Sequence, residues 1–461
     1  MEDLTQIAIE TALKMGVSFV DVRIENSIST KIEFTDGITK TALASNLKGA
    51  GVRAFVDGAW GFAQTSDLTP GGMRDTAKSV AKLALATSGN VDEKFSIDGP
   101  VFNDKVRISA KRPIQNVTIE DKIEYTKMID DQSHNFDKRI INTQTIYVDV
   151  WTDLYIGNSL GTSVWIENSL PRILSFATIK DGISRQQGVR SVGVRGGFEE
   201  MEKEQPQHIG EEAAQLAVDL LSSEAAKGGI YDVIMDPILN GVMIHEAFGH
   251  ACEGDIWIAH ATVLEGKVGT KLGPKYLNIS DDPTRSNERG SFEYDWEGTK
   301  TKKRFLVKNG VLTELLHSLE TASRLHMKPN GAARAQNFTF PPIPRMSNTF
   351  MEPGDWDVDE LIAETDGGII LCDFSYGYTD PSKGQFNFKA NYGYLIENGE
   401  KGQMVRDVSL AGQILEVLAK VDAIANDFQM EPGTCGKSGQ YVPDFSGGPH
   451  ARIRSVPVGG L

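Results

Sequence analysis

An α+β fold is the class the sequence predicts, a sandwich-like α/β domain over residues 1–228 followed by a mainly β domain over residues 229–461, and three observations predict it. Helical and alternating segments follow one another through the first half in α+β order. Gly makes up 46 of the 461 residues, well above the usual ~7%, which implies many tight turns and a strand-rich chain. A chain of this length also exceeds one ordinary hydrophobic core.

Taken in order, residues 3–14 have helical spacing and end at Gly16, suited to a C-terminal cap. The stretches Phe19–Ile24, Ile32–Gly37, Gly51–Gly58 and Trp60–Ala63 read as strands punctuated by Asp-Gly turns. Helices are expected at 70–87 and 119–131. Alternation then dominates from Ile140 to Phe198, with Gly157-Asn158 and Asp181-Gly182 as hairpin turns. A polar, acidic segment, Gly197–Gln207, ends these strands and precedes a helix at 209–222, so the domain boundary falls near 228. The second half opens with the strand Tyr231–Met235. Asn309-Gly310 and Asn398-Gly399 mark hairpins, and Phe386, Phe388, Ala390, Tyr392 and Tyr394 share the buried face of a strand. A helix is expected at 410–426, then a Gly-rich loop, Glu431–Gln440.

Hydrophobic residues are 40% and charged residues 24%, and no apolar run approaches the roughly 20 residues that cross a bilayer, so no membrane partner is expected. Met1–Gln6 lacks the basic start and apolar core of a signal peptide, which predicts a cytoplasmic protein. With 47 basic against 63 acidic residues the net charge is -16, which opposes nucleic-acid binding. Three scattered cysteines build no disulfide framework and leave a thiolate free for a metal.

The chemistry is concentrated after Asp236, an apt N-cap, and Pro237, an apt first helical residue. The apolar helix that follows carries His245, Glu246 and His250, and metal ligation explains why two imidazoles and a carboxylate belong there. The familiar H-E-x-x-H pattern spaces its histidines by four. Here the spacing is five, which sets the two rings about 140° apart on a regular helix. Both reach one ion only if the helix changes register, so a π-type turn near Ala247–His250, or a helix end at Gly249, is expected.

A catalytic zinc takes three protein ligands and keeps one position open. Cys435 is the choice for the third, because Gly433, Gly436 and Gly439 let the backbone approach and a thiolate suits zinc. Glu253 and Asp255 are local rivals, better suited to hydrogen-bonding a ligand imidazole or capping the helix. Cys252 is expected in the core. Glu246 is the expected general base, and Tyr376, Tyr378, His260 and Arg334 are candidates for polarising a substrate carbonyl. Glu431–Ser438 nearly matches G-x-x-x-x-G-K-[ST], but Glu431 replaces the first glycine and the strand–loop–helix context is missing, so a phosphate loop is rejected.

His245–Asp255, Pro344–Phe350, Tyr394–Gly399 and Cys435–Gln440 resemble the TldD/PmbA metalloprotease family on its TldD side, and Gly51–Val56 with Gly61–Ala63 resembles that family's N-terminal domain. The resemblance implies a zinc-dependent peptidase acting on unfolded or flexible peptides, with one zinc per active subunit held by His245, His250 and Cys435 and with Glu246 as base. It also implies an α/β N-terminal and a mainly β C-terminal domain. The implied assembly is a hollow dimer, a homodimer or a heterodimer with a metal-less PmbA/TldE-like subunit. Tyr441–Pro449 is less family-like in its first half. A non-catalytic peptide-binding or partner subunit with a structural metal is the alternative, which a fourth protein ligand would favour.

Overall fold

A computed structural model describes residues 1–203 and 205–460. Two long strands, Phe19–Thr35 and Ile140–Asn158, run antiparallel at the centre of an eight-stranded sheet, in register from Asp21 opposite Asn158 to Thr35 opposite Gln144. Ile38–Val56 and then Ala59–Thr65 extend the sheet on one side. On the other side it forks: Ser163–Ser169 pairs with the end of Ile140–Asn158, while Arg172–Asp181 pairs with its beginning and carries Ser184–Gly193 as an edge strand. Helices Glu2–Leu13 and Pro70–Ser88 bury Ala8, Ala12, Ala77, Val80 and Ala84 against Val20, Val22, Ala50 and Val52. Ile119–Asn135 contributes Tyr125 and Ile129 to a second core with Tyr147 and Ile173, and Pro206–Ser222 packs on the forked end.

In the second half Gly229–Met235 stands between Ile369–Asp380 and Ala451–Gly459. Ser409–Gln413 and Gln385–Glu397 follow, and Gln385–Glu397 pairs back onto Ile369–Asp380, so these five strands close into a ring. A separate six-stranded sheet ends in the hairpin Gln429–Lys437 and Gln440–Gly448, with Gln429–Lys437 at its edge. The helix Pro237–Met243 lies against that hairpin at Gly241, where an added Cβ would fall 2.1 Å from the Gly447 nitrogen.

Two expectations are corrected. Residues 410–426 do not form one helix: Ser409–Gln413 and Val421–Ile424 are strands flanking a short helix, Ile414–Ala419. The apolar spacing is helical, but pairing with Ala451–Gly459 claims both ends. The Gly-rich stretch Glu431–Gln440 is mainly strand rather than loop. Ser438 and Gly439, both at positive φ (50° and 73°), make the tight turn, and Gly433 leaves space for the Asp444 carboxylate facing it.

The two halves are joined through buried charge. Asp21 accepts from Arg23 (3.1 Å) and from Arg53 Nε (2.9 Å), while Arg53 Nη2 reaches Glu297 of the second half at 2.7 Å. Glu297 in turn accepts from the Leu319 amide, and Glu25 accepts from the Phe338 amide, each at 2.7 Å. Arg53→Met leaves buried Glu297 without its cation and Asp21 with Arg23 alone, and is expected to cost about 3–5 kcal/mol, read as a lower urea midpoint; a loss below about 1 kcal/mol would show that the junction does not depend on this charge. His317 is buried, its Nε2 has no hydrogen-bond partner among the described residues, and burial holds its pKa down to about 4. Between the ordinary ~6.5 and that value the unfolded chain binds a proton that the folded chain refuses, so stability falls as pH drops through this window, by about 3 kcal/mol in all. His317→Gln should remove that part of the acid destabilisation, measured as the difference in urea midpoint between pH 7 and pH 4.5.

Candidate metal centre

Strand Gly229–Met235 delivers the chain to Asp236, whose carboxylate accepts from the Leu239 amide (2.8 Å) and caps the helix, with Pro237 in its first turn. Leu239, Met243 and Ile244 are fully buried. Past Met243 the hydrogen bonding widens: Ile244–Gly249 is π-helix and His250–Cys252 a 3₁₀ turn. A π turn takes one more residue than an α turn, so a five-residue spacing returns to the same face. His245 and His250 therefore stand together, ring centroids 5.5 Å apart and planes at 89°. Gly249 lets the turn pack closely on Met346, whose sulfur a Cβ there would meet at 2.0 Å.

The edge strand Gln429–Lys437 brings Cys435 to the two rings, its Sγ 3.4 Å from His250 Nε2, and one ligating atom from each of the three lies within 4.8 Å of the others. All three residues are buried. His250 Nδ1 is held by Glu253 Oε2 at 2.9 Å, which leaves Nε2 directed at the cluster. Asp444 Oδ2 stands 3.5 Å from His245 Nδ1, yet neither ring nitrogen of His245 has a hydrogen-bond partner among the described residues. A buried imidazole with both nitrogens orphaned beside a thiol costs stability unless something binds there, and two imidazoles with one thiolate form a donor set suited to zinc. The residues fit such an ion.

Burial pushes the Cys435 thiol up, but the adjacent His245 and His250 outweigh it and bring the thiol down to about 6, so it is a thiolate at neutral pH. Burial pulls His245 down, yet Cys435 and Asp444 together raise it to about 9. Glu253 is held at about 2: burial is overcome by Lys437 and His250.

Of the residues anticipated around the ligands, Glu253 meets His250, and Asp255 binds Lys437 Nζ at 2.7 Å without touching either ring. Cys252 is in the core. Glu246 is half-exposed, with Oε2 3.7 Å from His250 Nε2, and with His245 and Cys435 it lines a cavity of about 570 Å³. The four carbonyl-polarising candidates do not line that cavity. Tyr376 and Tyr378 are exposed beside a shallower depression, His260 pairs with Glu265 at the surface, and Arg334 is buried, donating to the Met346 and Pro443 carbonyls.

Lys437 and Asp444 were not anticipated. Lys437, the lysine of the apparent phosphate motif, also binds Glu253 Oε2 (3.0 Å) and so ties the hairpin tip to the partner of His250. No signal in the sequence pairs these residues. Asp444 lies in the stretch after Gln440 that departs from the family pattern.

Residues 228–460 match the PmbA/TldA metallopeptidase C-terminal domain, residues 20–86 domain 1 and residues 112–221 the central domain of the same family. A metalloprotease of Methanothermobacter thermautotrophicus is 37% identical over 445 residues, 96% of each chain. A zinc metalloprotease TldD homolog of Saccharolobus solfataricus is 27% identical, covering 98% of this chain and 99% of its own. The crystal structure of TldE from Thermococcus kodakarensis shares the fold, with a TM-score of 0.78 at 18% identity over 99% of this chain and 100% of that one. With family domains along most of its length and a full-length relative above 30% identity, the chain belongs to the PmbA/TldA metallopeptidase family.

Proposed function

We propose that this chain is a zinc-dependent peptidase that hydrolyses peptide bonds in unfolded or flexible peptides. The observation that carries the proposal is the meeting of three buried donors, His245, His250 and Cys435, at a cavity that also exposes Glu246. Zinc held by these three supplies Lewis-acid activation of water and of the substrate carbonyl. Three donors rather than four form the group among the described residues, the number that leaves a position for chemistry, which favours the enzyme over a binding subunit with a structural metal.

In this reading Glu246 takes a proton from the attacking water onto a carboxylate oxygen and returns it to the departing amine. Glu253 fixes the orientation of His250 through Nδ1, and Lys437 fixes Glu253. Asp444, with Oδ2 3.5 Å from His245 Nδ1, would steady that imidazole beside the ion. An extended peptide fits a cavity of this size better than a folded protein surface does. The two-domain division at 228 and a cytoplasmic site of action belong to the same proposal. So does a working dimer, either of two copies or with a PmbA/TldE-like subunit, for which the shared fold with TldE is the support.

The purified chain should hold about one equivalent of zinc and cleave an unstructured protein such as casein in a chelator-sensitive manner, and Cys435→Ala should lose both properties. Glu246→Gln should keep the zinc and lose cleavage by at least about 100-fold; surviving cleavage would remove Glu246 from the role of base. Glu253→Gln, which loses the charge beside His250, should weaken zinc binding by about 10-fold or more in competition against a chelator of known affinity, and unchanged affinity would mean that Glu253 does not support the ligand.

A further inference from the structure

The cavity at Glu246 is walled on two sides by apolar side chains that other parts of the chain leave partly uncovered. Ile238, Val242 and Glu246 are spaced by four residues, which places them along one stripe of the helix, and all three line the cavity. His245 opens onto the same space. Across from this stripe stands the face of the forked sheet: Phe176 and Val189 are directly opposed on neighbouring strands, and Leu174, two residues from Phe176, points the same way. Phe374 adds a further apolar side chain, and its neighbour Asp373 donates its amide to Asp236 at 3.0 Å, so this wall is tied to the start of the helix.

Several charged groups of the cavity are already held within the protein. Arg172 donates to the Pro432 carbonyl (2.9 Å), Lys389 pairs with Asp407 (2.9 Å), Glu431 with Arg190 (2.9 Å), and Asp373 accepts from Asn391 (3.0 Å). Among the polar groups of the lining, Leu174, Phe176, Val189, Val242 and Phe374 are only half-buried and leave apolar surface near Glu246 for a ligand to cover. Covering such surface is favourable in proportion to the area removed from water. We propose that the Ile238–Val242 stripe and the facing Leu174, Phe176 and Val189 form a subsite for an apolar side chain of the substrate, adjacent to the bond to be cut, so that peptides with Leu or Phe there are selected over those with Ser or Asp. This rests on the peptidase reading and names its substrate class. The subsite spans both halves of the chain, so the first half contributes to specificity while the chemistry comes from the second.

The test uses zinc-loaded Glu246→Gln full-length protein and fluorescent peptides identical except at one position, occupied by Leu, Phe, Ser or Asp. Fluorescence anisotropy should show the Leu and Phe peptides binding about 10- to 200-fold more tightly than the Asp peptide. Phe176→Ser and, as a milder change, Val189→Thr should shrink that ratio while zinc content stays at one equivalent. Equal affinities for all four peptides, or a ratio unchanged in both variants, would overturn the subsite. Cleavage of the same peptides by the wild-type protein is scored separately: tight, selective binding without cleavage strikes the peptidase reading and leaves the subsite standing, whereas cleavage without selectivity does the reverse.

Discussion

Four arginines hold the hairpin that carries Cys435. Arg172 donates to the Pro432 carbonyl at 2.9 Å, Arg289 to Gly433 at 2.7 Å, Arg345 to Cys435 at 2.6 Å and Arg334 to Pro443 at 2.5 Å. Gln429–Lys437 is the last strand of its sheet, so carbonyls on its outer side have no neighbouring strand to donate to them. Arg172, Arg289 and Arg345 donate to carbonyls of this strand, from both halves of the molecule, and Arg334 to the neighbouring strand. The arrangement is costly, because burial brings Arg289 down to about 9 and Arg334 to about 10. The clamp adds to the ladder with Gln440–Gly448 in holding Cys435 beside the two histidines.

The π turn is the second constraint, and it belongs to the part of the site that can be read from the sequence. Asp236, Pro237 and the apolar run announce a buried helix, and a spacing of five between two histidines is incompatible with a shared ion on a regular one. That contradiction is itself the signal, because a π turn resolves it. Cys435 is legible only through its glycines and its family motif, and these mislead about local structure. Gly433 is needed for the approach of Asp444 and Gly439 for the turn, both within a hairpin rather than a loop. The roles of Lys437 and the four arginines are not legible in the sequence, even where Arg345 and Lys437 fall within family motifs. Their partners are carbonyls and carboxylates far away in sequence, and an arginine that will bind a carbonyl looks like any surface arginine.

The fold shows the same division. Helices with one buried face, such as Pro70–Ser88 and Ile119–Asn135, declare themselves by periodicity. Strand residues 38–48 are almost all exposed, so no alternation betrays them, and they are strand only because Phe19–Thr35 pairs with them. Residues 410–426 carry helical spacing that tertiary pairing overrides at both ends, as weak local propensity yields to sheet formation.

His250 and Cys435 are separated by 185 positions and belong to different elements, one a helix threaded between sheets and the other a strand at a sheet's rim. The trio is thus a report on completed folding. A nascent chain shorter than 435 residues, or one whose hairpin has come away from the helix, holds at most the two imidazoles and has no thiolate to join them. A site assembled this way is complete only once the whole architecture has closed, and it comes apart again as soon as the hairpin leaves the helix.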